Sequence, residues 1–141
     1  MTAGPASEPR LGRVRAIYDA IVAGDLDRAM TGSAPEIEWR NPEEAIEPGT
    51  RRGQLEFADA ISSLFAQFDF ERLEVLDSAE DGDAVALKVR VVATGRASGA
   101  PFEATFGNVF RFDGERVTAF EWARDPDAAL RAVGVERWPG S

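Results

Sequence analysis

The chain has 141 residues, a formal net charge of -9, and neither cysteine nor histidine. That length suits one domain, and the charge opposes a nucleic-acid partner, which needs clustered Lys and Arg against phosphate. The missing residue types remove disulfides, thiolate nucleophiles, imidazole bases and Cys/His metal sites, so we expect no metal and no cofactor.

Met1–Arg10 (MTAGPASEPR) holds no apolar run and reads as a disordered N-terminal tail, residues 1–10. No apolar run in the chain approaches the roughly 18 residues of a membrane span; we expect a cytoplasmic protein with no membrane partner. Leu11–Ala23 is predicted as a helix, because Val14, Ile17, Tyr18 and Ile21 form one stripe at helical spacing. Gly24 ends it, and Asp25 caps a short second helix, Leu26–Met30. Glu36–Asn41 alternates, with Ile37, Trp39 and Asn41 on one face of a half-buried strand that Pro42 terminates. The Pro42–Gly53 stretch, with two prolines, two glycines and three glutamates, reads as a loop. A third helix, Leu55–Phe68, carries a broad apolar face of Leu55, Phe57, Ile61, Leu64, Phe65 and Phe68.

Four strands follow: Phe70–Ser78, Val85–Thr94, Phe102–Phe112 and Val117–Arg124, then a short helix opened by Asp125-Pro126. Helices gathered early and hairpins late argue for an α+β domain over residues 11–134, with a C-terminal tail, 135–141. Strand parity sets the inward residues. In the third of these strands an aromatic row (Phe102, Phe106, Phe110, Phe112) must be the covered face, and Asn108 lies in its middle. A three-residue Asp113-Gly114-Glu115 turn would pair Asn108 with Phe120 and Phe106 with Trp122. Phe120 and Trp122 would then point inward, and Val117, Ala119 and Glu121 outward. Val85, Leu87, Val89 and Val91 also face in, while Lys88 and Arg90 face out with Glu103 and Arg111 as candidate cross-strand ion pairs.

Three segments, Tyr18…Ala23-Gly24-Asp25-Leu26-Asp27, Trp39-Arg40-Asn41-Pro42 and Phe110-Arg111-Phe112-Asp113-Gly114-Glu115-Arg116-Val117, resemble the nuclear-transport-factor-2-like superfamily, in its SnoaL-like and ketosteroid-isomerase-like branches. The resemblance implies a cone-shaped fold: a curved, mixed, mainly antiparallel sheet with three helices on its concave face enclosing a pocket. It also implies a homodimer joined through the outer sheet face. Ketosteroid isomerases place a general-base Asp where this chain has Asn41, an oxyanion-binding Asp where it has Asn108, and a Tyr one residue from Tyr18. The limonene-epoxide-hydrolase-like set of Tyr, Asn and Asp-Arg-Asp falls on Trp39, Asn41, Val89, Val91 and Trp122. The His and Asp of SnoaL-like cyclases fall on Phe120 and Trp122. An amide can donate to an oxyanion but cannot take up a proton as a base, so no catalytic residue is assigned.

The expected function is binding of a small, largely apolar, polyketide-, terpene- or steroid-like molecule, with isomerase, cyclase or hydratase chemistry as its enzymatic form. Tyr18, Trp39, Asn41, Phe57, Phe65, Phe106, Asn108, Phe120 and Trp122 are the candidate ligand-binding residues. The alternative is a non-catalytic dimeric module of the same fold. A cavity of about 300 Å³ or more with both amides inside favours binding; one plugged by Trp39, Trp122 and Phe120 favours the module.

Overall fold

Ser7 in extended backbone and Pro9 in the first turn start helix α1, Glu8–Ala23, where proline's fixed φ is already helical. Gly24 closes it at a φ of 70°, and its N–H returns to Ile21. The structure, a computed structural model, describes residues 4–140. Met1–Ala3 and Ser141, parts of the two expected tails, lie outside the described residues.

The rest of the expected N-terminal tail is packed. Gly4 pairs antiparallel with Glu80, Ala6 is buried, and its N–H donates to Ser78 Oγ at 2.9 Å. Arg10 donates to the Gly82 carbonyl at 2.6 Å and lies over the Phe112 ring. These anchors are all long-range, so a local reading of a Pro- and Gly-containing stretch misses them.

Asp25 caps α2, Leu26–Met30, by accepting from the Arg28 N–H. Strand β1 runs Ser33–Asn41, longer than expected because Ser33 already pairs with Val117. The predicted loop contains a strand: β2, Gly49–Arg52, pairs antiparallel with the end of β1. It is short, at the sheet edge and mostly exposed, so it carries no apolar alternation to read. In α3, Gln54–Gln67, Phe57, Ala60 and Ile61 are buried. Leu55, expected on the apolar face, sits in the first turn and is exposed. Then come β3 Phe68–Asp81, β4 Ala84–Gly95, β5 Pro101–Asp113, β6 Arg116–Ala123 and helix α4 Pro126–Ala132.

The sheet order is β2-β1-β6-β5-β4-β3, parallel only between β1 and β6. It is open, and bulges in β3 and between β5 and β6 bend it. The concave face carries Val85, Leu87, Val89, Phe110 and Phe112 against Val14, Ile17 and Tyr18 of α1, Ala29 of α2, and Phe57 and Ile61 of α3. Those are the three expected helices. α4 lies on the other face, where Ala84, Ala86 and Val109 pack with Ala129, Leu130 and Val133.

The expected C-terminal tail continues this second layer. Val135 and Trp138 are buried, Trp138 Nε1 donates to Asp127 Oδ1 at 3.0 Å, and Lys88 Nζ lies over the indole. Residues 135–140 thus belong to the domain.

The β5–β6 register differs from expectation in a way that keeps its parity. Asp113 pairs with Arg116 across a two-residue turn in which Gly114 adopts a φ of 60°. A bulge then leaves Thr118 unpaired, so Phe110 meets Phe120 and Asn108 meets Trp122. The inner set survives, but Asn108 neighbours Trp122 rather than Phe120. The two-residue turn puts Val117 opposite Phe112, into the concave core. Ala119 stays on the outer face and is nonetheless buried.

The outer face around β1 and β6 carries a ladder of ion pairs. Arg111 meets Glu121 at 3.1 Å, Glu121 meets Arg40 at 3.5 Å, Arg40 meets Glu38 at 2.8 Å and Glu38 meets Arg52 at 3.3 Å. Burial pulls the Arg40 pKa down, but the hydrogen bond with Glu38 and the charges of Glu121 and Glu38 outweigh it, so the pKa is raised. Arg90 meets Glu103 across β4 and β5, donating at 2.8 Å.

Gly107 sits where α4 crosses β5. A Cβ there would lie 2.6 Å from Ala129 Cβ and 2.9 Å from Pro126 Cα. We predict that Gly107→Ala lowers unfolding free energy by roughly 1–3 kcal/mol through overpacking. Gly12→Ala, on an exposed helical position with open space around it, raises it by up to about 1 kcal/mol. Urea denaturation of both variants measures this; equal effects would contradict the close crossing.

Candidate functional site

Curvature leaves a space between the concave face and the helices α1 and α3. That space is a cavity of about 260 Å³. Its walls are almost wholly apolar: Trp39 from β1, Phe57 from α3, Phe106 and Phe110 from β5, and Phe120 and Trp122 from β6. Trp39 lies 4.6 Å from Phe120 and 5.3 Å from Phe57 between ring centroids, and Phe106 meets Trp122 edge-on at 6.3 Å. Such edge-on and tilted contacts fix rings without flat stacking. Two larger hollows, about 590 Å³ beside Trp138 and about 460 Å³ beside Arg10, lie at the surface. Charged side chains share their lining, whereas no charged side chain lines the inner cavity.

One polar pair faces the cavity. Asn108 Nδ2 donates to the Tyr18 hydroxyl at 2.6 Å, joining β5 to α1. Tyr18 is held in place by its edge-on contact with Phe110 at 5.9 Å. Burial pushes the Tyr18 pKa up, and the Asn108 hydrogen bond offsets only part of that rise. The phenol is therefore neutral across the physiological range. Tyr18 is the one ionisable side chain among the lining residues. The cavity can thus donate and accept hydrogen bonds, but its own side chains hold no proton acceptor of carboxylate or imidazole type.

Seven of the nine expected residues line the cavity: Tyr18, Trp39, Phe57, Phe106, Asn108, Phe120 and Trp122. Phe65 does not; it is half-buried at the margin of the concave core. Asn41 points to the same side as Trp39, as parity requires, yet it does not line the cavity. Its Oδ1 accepts from two indoles at once, Trp39 Nε1 and Trp122 Nε1, each at 2.8 Å. Asn41 is a clamp behind the wall, and the amide oxygen expected to meet a ligand is taken by the protein.

The residues not expected lie on α1, α3, β3, β4 and β5. Ile17, Ile61, Leu73 and Val91 add aliphatic wall, while Phe68, Phe70 and Phe102 add rings. Phe102 was visible in the aromatic row of β5. Phe68 and Phe70 had a signal too, their spacing of two, but the bulge after Phe70 breaks the alternation that would have extended it. The acids after β1 and β6 do not line the cavity: Glu43, Glu44 and Glu47 are exposed, and Asp125 caps α4. Among the described residues no cluster of side chains could hold a metal ion, and no helix is long and apolar enough to cross a membrane.

A cone of helices over a bent open sheet, hollow at its centre, defines the NTF2-like fold class. The chain belongs to the SnoaL-like domain family, which matches residues 14–120. An NTF2-like protein of unknown function from Burkholderia pseudomallei is 23% identical, with a TM-score of 0.72 over 92% of this chain and 100% of that one. TerC, co-crystallised with polyporic acid, is 19% identical, with a TM-score of 0.71 over 89% of this chain and 98% of its own. A Catenulispora acidiphila protein of ketosteroid-isomerase-like fold, in complex with trimethylamine, is 17% identical, with a TM-score of 0.69 over 87% and 92%. These likenesses establish the fold. No curated protein matches the chain in sequence.

Two predictions follow from the site's wiring. Tyr18 is the only tyrosine, so phenolate absorbance reports it alone. The folded pKa is raised, so stability is full below the ordinary phenol value of about 10 and falls as pH climbs from there through the folded value. A phenolate signal developing near pH 10 in folded protein, at the ordinary phenol value, would contradict the burial. Asn41→Leu should cost roughly 1–3 kcal/mol for each indole N–H left without an acceptor. Asn41→Asp, which keeps both bonds, should cost less. Urea unfolding followed by tryptophan fluorescence compares them, and equal losses would remove the clamp.

Proposed function

We propose that this SnoaL-like protein binds a small, neutral, largely apolar molecule in the cone cavity, with Tyr18, Asn108, Trp39, Phe57, Phe106, Phe120 and Trp122 as contact residues. The observation that carries this reading is the wall itself: aromatic and aliphatic on every side, with a single polar pair. A core needing no ligand would close such a space, because a void forfeits dispersion contacts on its whole lining. A handful of polar groups in an apolar pocket is also the usual composition of a small-molecule site.

Size narrows the ligand. An apolar cavity of about 150 Å³ holds benzene, with its six heavy atoms. On that scale, about 260 Å³ takes roughly ten heavy atoms, the bulk of a bicyclic aromatic or a monoterpene. A four-ring steroid is too large for it. Terpene- and small polyketide-like skeletons are the better-fitting part of the expected range. The cocrystals of the two fold relatives with polyporic acid and trimethylamine are consistent with small organic ligands in this fold.

Chemistry in this pocket would rest on orientation and polarisation. Neither the amide nor a phenol of raised pKa is a base at neutral pH, so an isomerase, cyclase or hydratase built here would move its proton through water or the ligand's own groups. Two features favour the non-catalytic module instead. The Asn41 oxygen is spent on two indoles, and the cavity falls below the roughly 300 Å³ lower end of common ligand sites. A homodimer through the outer face belongs to both readings, on the surface that α4 and Trp138 leave uncovered.

Thermal shift with tetralin, decalin and cholestenone separates the two. We expect the ten-carbon probes to raise the melting temperature of the native chain and cholestenone to leave it unchanged. Val91→Trp, which fills the cavity, should abolish the shift. A native chain indifferent to every probe, yet dimeric by sedimentation velocity, would favour the module.

A further inference from the structure

The bond from Asn108 Nδ2 to the Tyr18 hydroxyl uses one amide hydrogen and one phenol lone pair. What the pair still offers is the Asn108 Oδ1 acceptor, the second Nδ2 hydrogen and the Tyr18 O–H donor. No hydrogen bond among the described residues occupies any of these. No buried side-chain polar atom in the described residues lacks a partner, so Asn108 Oδ1 is reachable by something other than protein, and Asn108 lines the cavity. Exchanging the amide's oxygen and nitrogen reverses the internal bond but still leaves N–H donors beside an oxygen acceptor. An oxyanion-binding pair would present donors alone. This one sets an acceptor among its donors.

We infer that the cavity selects a neutral hydroxyl compound, an alcohol or phenol on a skeleton of roughly ten heavy atoms, over the ketone, acid or amine of the same skeleton. The inference rests on the reading of the cavity as a ligand site and names the class of ligand. A hydroxyl answers both the acceptor and the phenol donor: its hydrogen goes to Asn108 Oδ1 and its lone pair takes the Tyr18 hydrogen. A ketone takes the Tyr18 hydrogen and leaves Asn108 Oδ1 facing carbon. A dry, unmatched acceptor of that kind weakens binding roughly ten- to a hundredfold. A carboxylate meets the amide oxygen with no Lys or Arg among the lining residues, and its desolvation goes uncompensated. An ammonium ion would gain from the aromatic walls but leaves the Tyr18 hydrogen with no acceptor.

The test uses the full chain and five probes on one skeleton: tetralin, 1-tetralol, 1-tetralone, 1-aminotetralin and tetralin-1-carboxylate. Quenching of Trp39 and Trp122 fluorescence, checked by calorimetry, gives the dissociation constants. The expected order puts 1-tetralol at least about tenfold below 1-tetralone, with the carboxylate not binding. In Tyr18→Phe and Asn108→Leu, checked for folding by circular dichroism, the alcohol-to-ketone ratio should shrink to within about threefold, since the matched pair is gone. The wild-type ratio decides alone if either variant does not fold. A ketone bound as tightly as the alcohol, or an amine bound more tightly than either, overturns the inference while leaving the ligand site standing. Failure of every probe, tetralin included, overturns the ligand site itself.

Discussion

Side chains on β5 and β6 must stay in phase across the turn that joins them, because one face of this hairpin is the cavity wall and the other is the seat of α4. A slip of one residue would send Asn108 and Trp122 outward and bring charged neighbours such as Glu121 in. The protein meets this requirement with two departures from regularity that cancel. A two-residue turn at Gly114-Glu115 shortens the connection, and the extra residue Thr118 restores the phase beyond it. Trp122 faces inward and reaches Asn41 because the extra residue resets the phase of β6 beyond the turn. The short turn has a local effect too: Val117, opposite Phe112, joins the concave core.

Much of this was legible in the sequence because binary patterns are strong in β4 and β5. Val85, Leu87 and Val89 read as one buried face and are one. The phenylalanine row around Asn108 fixed the inner side of β5 without any knowledge of its partner. Elements without such patterns escaped: β2 is four residues long at an edge, and the segments 4–10 and 135–140 are held by scattered long-range anchors such as Ala6 and Trp138. An isolated alanine or tryptophan near a terminus has no period, so local reasoning treats it as tail. Asn41 illustrates a different limit. Its side was readable, but a carboxamide oxygen can serve a ligand or the protein, and the choice depends on a strand more than eighty residues away in sequence at Trp122.

The two faces of the sheet do different work. The concave face combines buried aliphatic residues with rings around an empty centre, while the convex face is sealed by small residues, Ala84, Ala86 and Gly107, that let α4 approach closely. Beyond α4, the convex face turns to charge. Its arginines and glutamates satisfy one another within the chain through Glu38 and Glu121. Exposed pairs of this kind add little stability each, but a closed ladder leaves few unmet charges on the outer side of β1 and β6.

The shared oxygen of Asn41 makes Trp39 and Trp122 a single mechanical body. One indole comes from the first long strand and the other from the last, and each is pinned through the same atom. A guest that presses on either ring must strain both bonds or shift both strands together. The Trp39 and Trp122 side of the cavity therefore resists piecemeal displacement, whereas the side formed by α1, α3 and the start of β3 is lined by aliphatic and phenylalanine side chains.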